Sequence, residues 1–222
     1  MNNSLFFILL LFAGISCSEP NVKDEFGDIY DSMVEQKHLY YNVKHTVYNS
    51  ENETPLANIY GLVKLNRNSD SGISSAYFGL EAHYLPNYLN SIYLENNCVF
   101  NISSNIFDLN SADIIMDSLH SPILINADLL YEIEKDSLNI KRKVINNNTI
   151  KITFDLKKKA NQLVLFWDNE IGKITELEYK YNLGTEHFYS RKWSFDYLSK
   201  SDYLTLESQY KHQNQIAHQP FL

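Results

Sequence analysis

Cysteine is nearly absent from this chain: Cys17 and Cys98 are the only two in 222 residues. Neither belongs to a C-x-x-C pair, so a structural zinc or a redox dithiol has no support in the sequence. Spacing alone leaves a Cys17–Cys98 disulfide open. Glycine (7) and proline (5) are scarce as well, which excludes a collagen-like or low-complexity chain. Basic residues are outnumbered, 19 Lys and Arg against 27 Asp and Glu, giving a formal net charge of −8. No basic stripe offers itself to a phosphate backbone, so nucleic acid is not expected as a partner. No repeat recurs at a solenoid or propeller period.

Catalytic signatures are missing too. The chain has no G-x-S-x-G, no Walker-type loop and no H-E-x-x-H. None of its seven histidines forms an i, i+4 pair, and His45, His83 and His187 fall singly on expected strands. An isolated strand histidine is ordinarily packed or solvated rather than a metal ligand. Acidic pairs such as Glu176 and Glu178 have a spacing a glycosidase could use, yet solubilising an exposed strand face explains them more simply. No catalytic residue, metal or cofactor is therefore assigned, and an unrecognised hydrolase is the weakest of three functional readings.

Only one long apolar run exists, Leu5 to Ala13, followed by Gly14-Ile15-Ser16-Cys17. Nine residues are too few to span a bilayer but suit the hydrophobic segment of a signal peptide. A small residue directly before a cysteine at the end of such a run resembles a bacterial lipoprotein signal. The resemblance implies cleavage after residue 16, lipid on Cys17 and attachment to a membrane, with each buried methylene adding ~0.8 kcal/mol. It also leaves Cys98 without a partner in the chain, an unpaired structural thiol. Residues 17–28 then read as the lipidated cysteine and a polar tether with Pro20. Its Lys23-Asp24-Glu25 resembles the surface-export signals of Bacteroidota lipoproteins, although a tether is polar in any case.

What the chain has in quantity is aromatic residues, 16 Tyr, 12 Phe and 2 Trp, distributed along alternating segments. From Lys173 to Leu183, Thr175, Leu177, Tyr179, Tyr181 and Leu183 alternate with Glu176, Glu178, Lys180 and Asn182. A period of two means a strand with one covered face and one wet face. Gln162–Asp168 precedes it through a compact link, and a third strand carries His187, Tyr189, Arg191, Trp193, Phe195 and Tyr197 on one face. Earlier strands are expected at His38–Val47, Asn58–Leu65, Ser75–Ala82, Leu89–Leu94 and Cys98–Ile102, then Lys141–Ile145 and Thr149–Phe154. A short helix is expected over Asp28–Lys37. Two more are expected within Ser111–Ile133, broken near Ser121-Pro122. Lys157-Lys-Lys159 reads as a solvated loop, and residues 199–222 as a polar, frayed tail.

The order of Gly61–Arg67, Ala76–Gly79, the Tyr93–Ile102 hairpin, the helical insertion and Ile174–Tyr181 resembles a domain of Bacteroidota lipoproteins. That domain is similar to the LolA/LolB and RseB group. The resemblance implies a mainly β fold over residues 29–198, a curved antiparallel sheet or half-barrel with two short central helices in its concave face. In LolA-like carriers an incompletely filled half-barrel takes acyl chains. Two uses of Tyr179, Tyr181, Tyr189, Trp193 and Phe195 therefore stay open. They are either core against the helices or the wall of an apolar hollow for a lipid or other amphipathic molecule. If the space is filled, the chain reads instead as a structural or interaction lipoprotein that meets another envelope protein.

Overall fold

A computed structural model describes residues 22–50, 54–67, 73–82, 85–94, 97–102, 118–126, 128–158 and 160–217. Ten strands form one open, curved antiparallel sheet: β1 (His38–Tyr48), β2 (Ala57–Asn66), β3 (Ile73–Ala82), β4 (Leu85–Leu94) and β5 (Asn97–Ile102), then β6 (Ser137–Val144), β7 (Thr149–Leu156), β8 (Gln162–Asp168), β9 (Lys173–Tyr181) and β10 (Tyr189–Tyr197). Their spatial order is β5-β4-β3-β2-β1-β10-β9-β8-β7-β6. Two five-strand meanders are thus joined side by side through β1 and β10. Every expected strand is present.

Alternation decides which residues face inward. Leu39, Tyr41, Val43 and His45 of β1 are buried, as are Val63 and Leu65 of β2 and Trp193 and Phe195 of β10. One row crosses six strands in register, Ile59–His45–Trp193–Leu177–Leu165–Ile152. β9 breaks the expected phase once. A bulge sets Trp167 opposite Ile174 and Phe166 opposite Glu176, so Thr175 is the extra residue. The bulge turns Ile174 inward beside Leu177, the two being 1% and 2% exposed.

Helix α1 (Val22–Glu35) covers part of this concave face. Phe26, Ile29 and Met33 recur at i, i+3 and i+7, and all three are buried in the main core. Each such side chain contributes roughly 1.5–3 kcal/mol on leaving water. The ring of Phe26 meets Phe154 at 5.9 Å, while Ser32 Oγ and Gln36 Nε2 both donate to the Gly172 carbonyl, at 3.0 and 2.9 Å. The helix therefore runs from the end of β7 to the start of β9. Residues 17–28 are not simply a tether, because α1 begins at Val22 and Phe26 is core.

The central insertion breaks twice among its described residues. Ser121 caps α2 (Pro122–Ile125) through Ile123 N–H, with Pro122 at the first helical position, where its missing donor costs nothing. Asn126 then caps α3 (Asp128–Asp136) by accepting from Asp128 N–H at 3.0 Å. Leu119, Ile123, Leu124, Leu130 and Ile133 join the same core as α1. The part of the expected first helix around Ile114 lies outside the described residues.

The C-terminal segment is a helix, not a frayed tail. Ser199 opens α4 (Lys200–Ala217) by accepting from Asp202 N–H at 3.1 Å. Tyr203, 1% exposed, packs with Leu62 and Tyr77 on the opposite, convex face of the sheet. Its hydroxyl shares a hydrogen bond of 2.8 Å with Ser75. The packed unit consequently extends past both expected boundaries, residues 29 and 198.

Gly61 leaves room for the insertion to lie close against the sheet. A Cβ there would lie 2.5 Å from Leu119 Cδ2 and 3.3 Å from Val43 Cγ1. We expect Gly61→Ala to destabilise the fold by about 1–3 kcal/mol, as overpacking does. Urea denaturation of the single and the Gly61→Ala/Leu119→Ala double variant checks this. The double variant should lose less than the two singles summed.

Candidate functional site

The five aromatic residues expected to share one hollow divide into two groups. Trp193 and Phe195 are 3% and 6% exposed and belong to the core. Phe195 meets Tyr41 edge-on at 5.6 Å. The other three form a ledge where β9 ends and β10 begins. Tyr179 stacks on Tyr181 at 4.5 Å, and Tyr181 lies 5.5 Å from Tyr189. Tyr179 packs partly against the core, while Tyr189 is 37% exposed. Burial, and secondarily Asp136 at the end of α3, raises the Tyr179 hydroxyl above the usual phenol range.

His45 was visible in the sequence only as a lone strand histidine, and the register gives it company. It faces Trp193 across the β1–β10 ladder, its ring 4.6 Å away and nearly parallel at 6°. Arg191, two residues earlier on the same face, donates from Nε to His45 Nε2 at 3.2 Å and lies 4.8 Å from the indole. An accepting Nε2 places the ring proton on Nδ1. That atom is buried and has no hydrogen-bond partner among the described residues. Burial first, and then the Arg191 charge, lowers His45 from 6.5 to about 3. The imidazole is a neutral core group at physiological pH.

At the other end of the concave face, Tyr41 donates to the Leu119 carbonyl at 3.3 Å, and Tyr197 to the Ile174 carbonyl at 2.7 Å. Lys173 Nζ lies over the Tyr197 ring, 4.7 Å from its centroid. Both hydroxyls are also within electrostatic reach of the Arg67 guanidinium. Sequence pattern did not single out Arg67, which stands one residue beyond β2, where alternation no longer applies.

The acidic pair lies on the opposite side of the sheet from Leu177. Glu176 pairs with Lys192 at 2.8 Å, and Glu178 with Lys180 at 3.4 Å. Each carboxylate is held by a lysine, and their spacing serves the convex surface. His187 precedes β10 and is 81% exposed, not on the inner row. Among the described residues, no three His, Cys, Asp or Glu side chains gather as a metal site would require. Cys98 pairs with Tyr93 in the β4–β5 ladder. Cys17 lies outside the described residues. No helix among them is long and apolar enough to cross a membrane.

No family model and no curated protein matches the chain. Among solved structures it is similar to MucB, with a TM-score of 0.46, 8% identity and coverage of 81% of this chain and 62% of that one. It is similar also to MucB in a MucA/MucB complex from Pseudomonas aeruginosa, with a TM-score of 0.39, 6% identity and coverage of 82% and 59%. A third likeness, to a LolA superfamily protein from Nitrosomonas europaea, has a TM-score of 0.22, 8% identity and coverage of 78% and 90%. The chain spans about three fifths of the MucB chains.

The depressed His45 pKa fixes the sign of a pH effect. Between about pH 3 and 6.5 the unfolded chain takes up a proton that the folded chain refuses. The His45 contribution is therefore complete above pH 6.5 and is lost as pH falls toward 3. His45→Gln should flatten the rise of stability across that window, by at most ~1.4 kcal/mol per pH unit for one proton. Urea midpoints at pH 4, 5, 6 and 7 measure it, and an unchanged slope would contradict a neutral buried imidazole.

Proposed function

We propose that this chain is a non-enzymatic binding module of the cell envelope, held at a membrane by lipid on Cys17. It meets an amphipathic molecule on the ledge of Tyr179, Tyr181 and Tyr189. The carrying observation is the division of the aromatic set. Trp193 and Phe195 are spent inside the core, whereas the three stacked tyrosines stand at its rim with Tyr189 37% exposed. Tyrosine suits such a contact because it offers apolar ring area together with a hydroxyl for the polar end of a ligand.

Position supports the reading. Leu183 N–H donates to the Ala160 carbonyl at 2.8 Å, which places the end of β9 beside the β7–β8 link. Phe26, in the first half of α1, contacts Phe154 near that same link. The ledge and the start of α1 thus share one end of the half-barrel. Only residues 18–21 separate Cys17 from α1, a reach of roughly 13–18 Å when extended. A lipid on Cys17 would bring the ledge close to the bilayer, an arrangement compatible with an outer-membrane lipoprotein facing either the periplasm or the surface.

A second reading, contact with another envelope protein, is favoured by the opposite end. Ile145 beside the β6–β7 turn and Ile171 in the β8–β9 turn are each 46% exposed, and the neighbouring Val144 is 53% exposed. The two turns are tied by Asn169 N–H donating to the Asn148 carbonyl at 2.8 Å. An apolar patch on two braced hairpin tips suits a protein partner. In that case the ledge would be surface without a ligand.

Titration of a fluorescent fatty acid into the mature chain separates these readings. We expect Tyr181→Ala/Tyr189→Ala to weaken binding about tenfold, the scale of two lost aromatic contacts, while the melting temperature stays close to wild type. Trp193→Ala should instead cost about 3–5 kcal/mol of stability. Absence of wild-type binding, with the same loss of stability, would leave the protein-contact reading. The anchor has its own test: an alkynyl fatty acid should label the wild type but not Cys17→Ala, and equal labelling would refute it.

A further inference from the structure

We propose that β6, the edge strand that follows α3, takes an added strand from another protein, an extended peptide that alternates acidic and aliphatic residues. The proposal rests on neither the tyrosine ledge nor the lipid anchor. It goes beyond the apolar hairpin tips, which begin where β6 ends.

Among the described residues β6 pairs with β7 alone, so the backbone on its second side is a template for a further strand. Edge strands are ordinarily kept short, covered or broken by proline. This one runs for eight residues, Ser-Leu-Asn-Ile-Lys-Arg-Lys-Val, with neither proline nor glycine. A bulge between Ser137 and Asn139 leaves Asn139–Val144 as a regular run. Asn139, Lys141, Lys143 and Val144 in that run are exposed.

The register states what an added strand meets. Ile140, Arg142 and Val144 stand opposite the buried residues Phe154, Ile152 and Ile150, so these three belong to the concave side. Asn139, Lys141 and Lys143 belong to the convex side, opposite Asp155, Thr153 and Lys151. Lys141 reaches Asp155 at 2.8 Å, whereas Lys143 has a second lysine, Lys151, directly across the ladder. Like charges placed in that way repel. β6 itself holds three consecutive cations and no acid, in a chain whose net charge is −8. This pattern excludes one occupant and selects another. Antiparallel pairing of two copies about Arg142 sets Lys141 of each against Lys143 of the other and Arg142 against itself, which is repulsive throughout. Acidic residues opposite Lys141 and Lys143 instead complete two cross-strand ion pairs. Aliphatic residues at the alternate positions continue the row of Ile140 and Val144, as strand addition requires.

The probe is a fluorescein-labelled peptide, Ser-Val-Glu-Thr-Glu-Val-Ser, titrated into the mature chain and followed by anisotropy. Its charge-reversed form, Ser-Val-Lys-Thr-Lys-Val-Ser, is the control. We expect saturable binding of the acidic peptide by the wild type and by Lys200→Glu, which makes the same change of net charge on exposed α4. Lys143→Glu should weaken it about tenfold, the scale of one cross-strand attraction turned into a repulsion. The same variant should gain affinity for the reversed peptide. Hydrogen exchange supplies the geometry: bound peptide should slow exchange within Asn139–Val144 and leave β1 and β10 as they were. The proposal is overturned if the acidic peptide does not bind, if Lys143→Glu binds it as tightly as wild type, or if binding leaves β6 unprotected. A concentration-dependent dimer that protects β6 assigns the edge to a second copy and overturns it too. Should Lys143→Glu fail to fold, exchange on the wild type still decides. Fatty-acid binding at the ledge is a separate measurement that none of these outcomes moves.

Discussion

The structure depends on one non-local ladder, the antiparallel pairing of Tyr41–Tyr48 with Ser190–Tyr197. Every other neighbouring pair in the sheet joins strands consecutive in sequence, and β5 and β6 are its two edges. Hairpin pairings of that kind close small loops and cost little entropy, whereas β1 and β10 close a loop of nearly the whole domain. That ladder turns two meanders into one surface wide enough to curve around a core. It also creates two arrangements of the concave face. His45 meets Trp193 only across it, and Tyr41 meets Tyr197 only across it.

A sheet of ten strands with apolar side chains on both faces must be covered twice. On the concave side α1, α2, α3 and Leu119 contribute to one continuous core with Trp193, Phe195, Leu177 and Phe154. On the convex side α4 covers Leu62 and Tyr77 with Tyr203 and Leu206. The consequence for function is spatial. A ligand cannot take the place of Trp193 or Phe195 without displacing part of the core, so contacts are left to the rim and the two ends. The ends differ in chemistry. One carries stacked tyrosines close to the start of α1, and the other carries exposed aliphatic hairpin tips.

Much of this was legible in the alternation. Ten strands, their order of appearance and the inward positions Leu177, Trp193 and Phe195 follow from period-two patterning, because a one-residue slip would bury Glu176 and Glu178. The β9 bulge was not legible, since Thr175 fits either face. Helix α1 was read too short because Val22–Gly27 is polar apart from Val22 and Phe26, and burial of Phe26 depends on Phe154 and Tyr131, far away in sequence. The last helix looked like a tail for a related reason. Its buried contribution comes chiefly from Tyr203, and the surface receiving it is the convex face, which pattern assigns to solvent. Within the aromatic set, the division into core (Trp193, Phe195) and rim is set by where the strands end, Tyr181 and Tyr189, and boundaries are only weakly encoded locally.

The central claim is that the half-barrel is filled by its own helices and leaves its aromatic rim outside. Trp167 and Trp193 are the only two tryptophans, both inside that core at 6% and 3% exposure, so they report on it directly. Quenching of their fluorescence by a brominated fatty acid measures whether an acyl chain reaches the concave face. A filled core predicts blue-shifted emission that saturating brominated chain leaves essentially unquenched, even while a fluorescent analogue binds. Strong quenching of tryptophan emission by the bound brominated chain would contradict the account and place the ligand in the hollow itself.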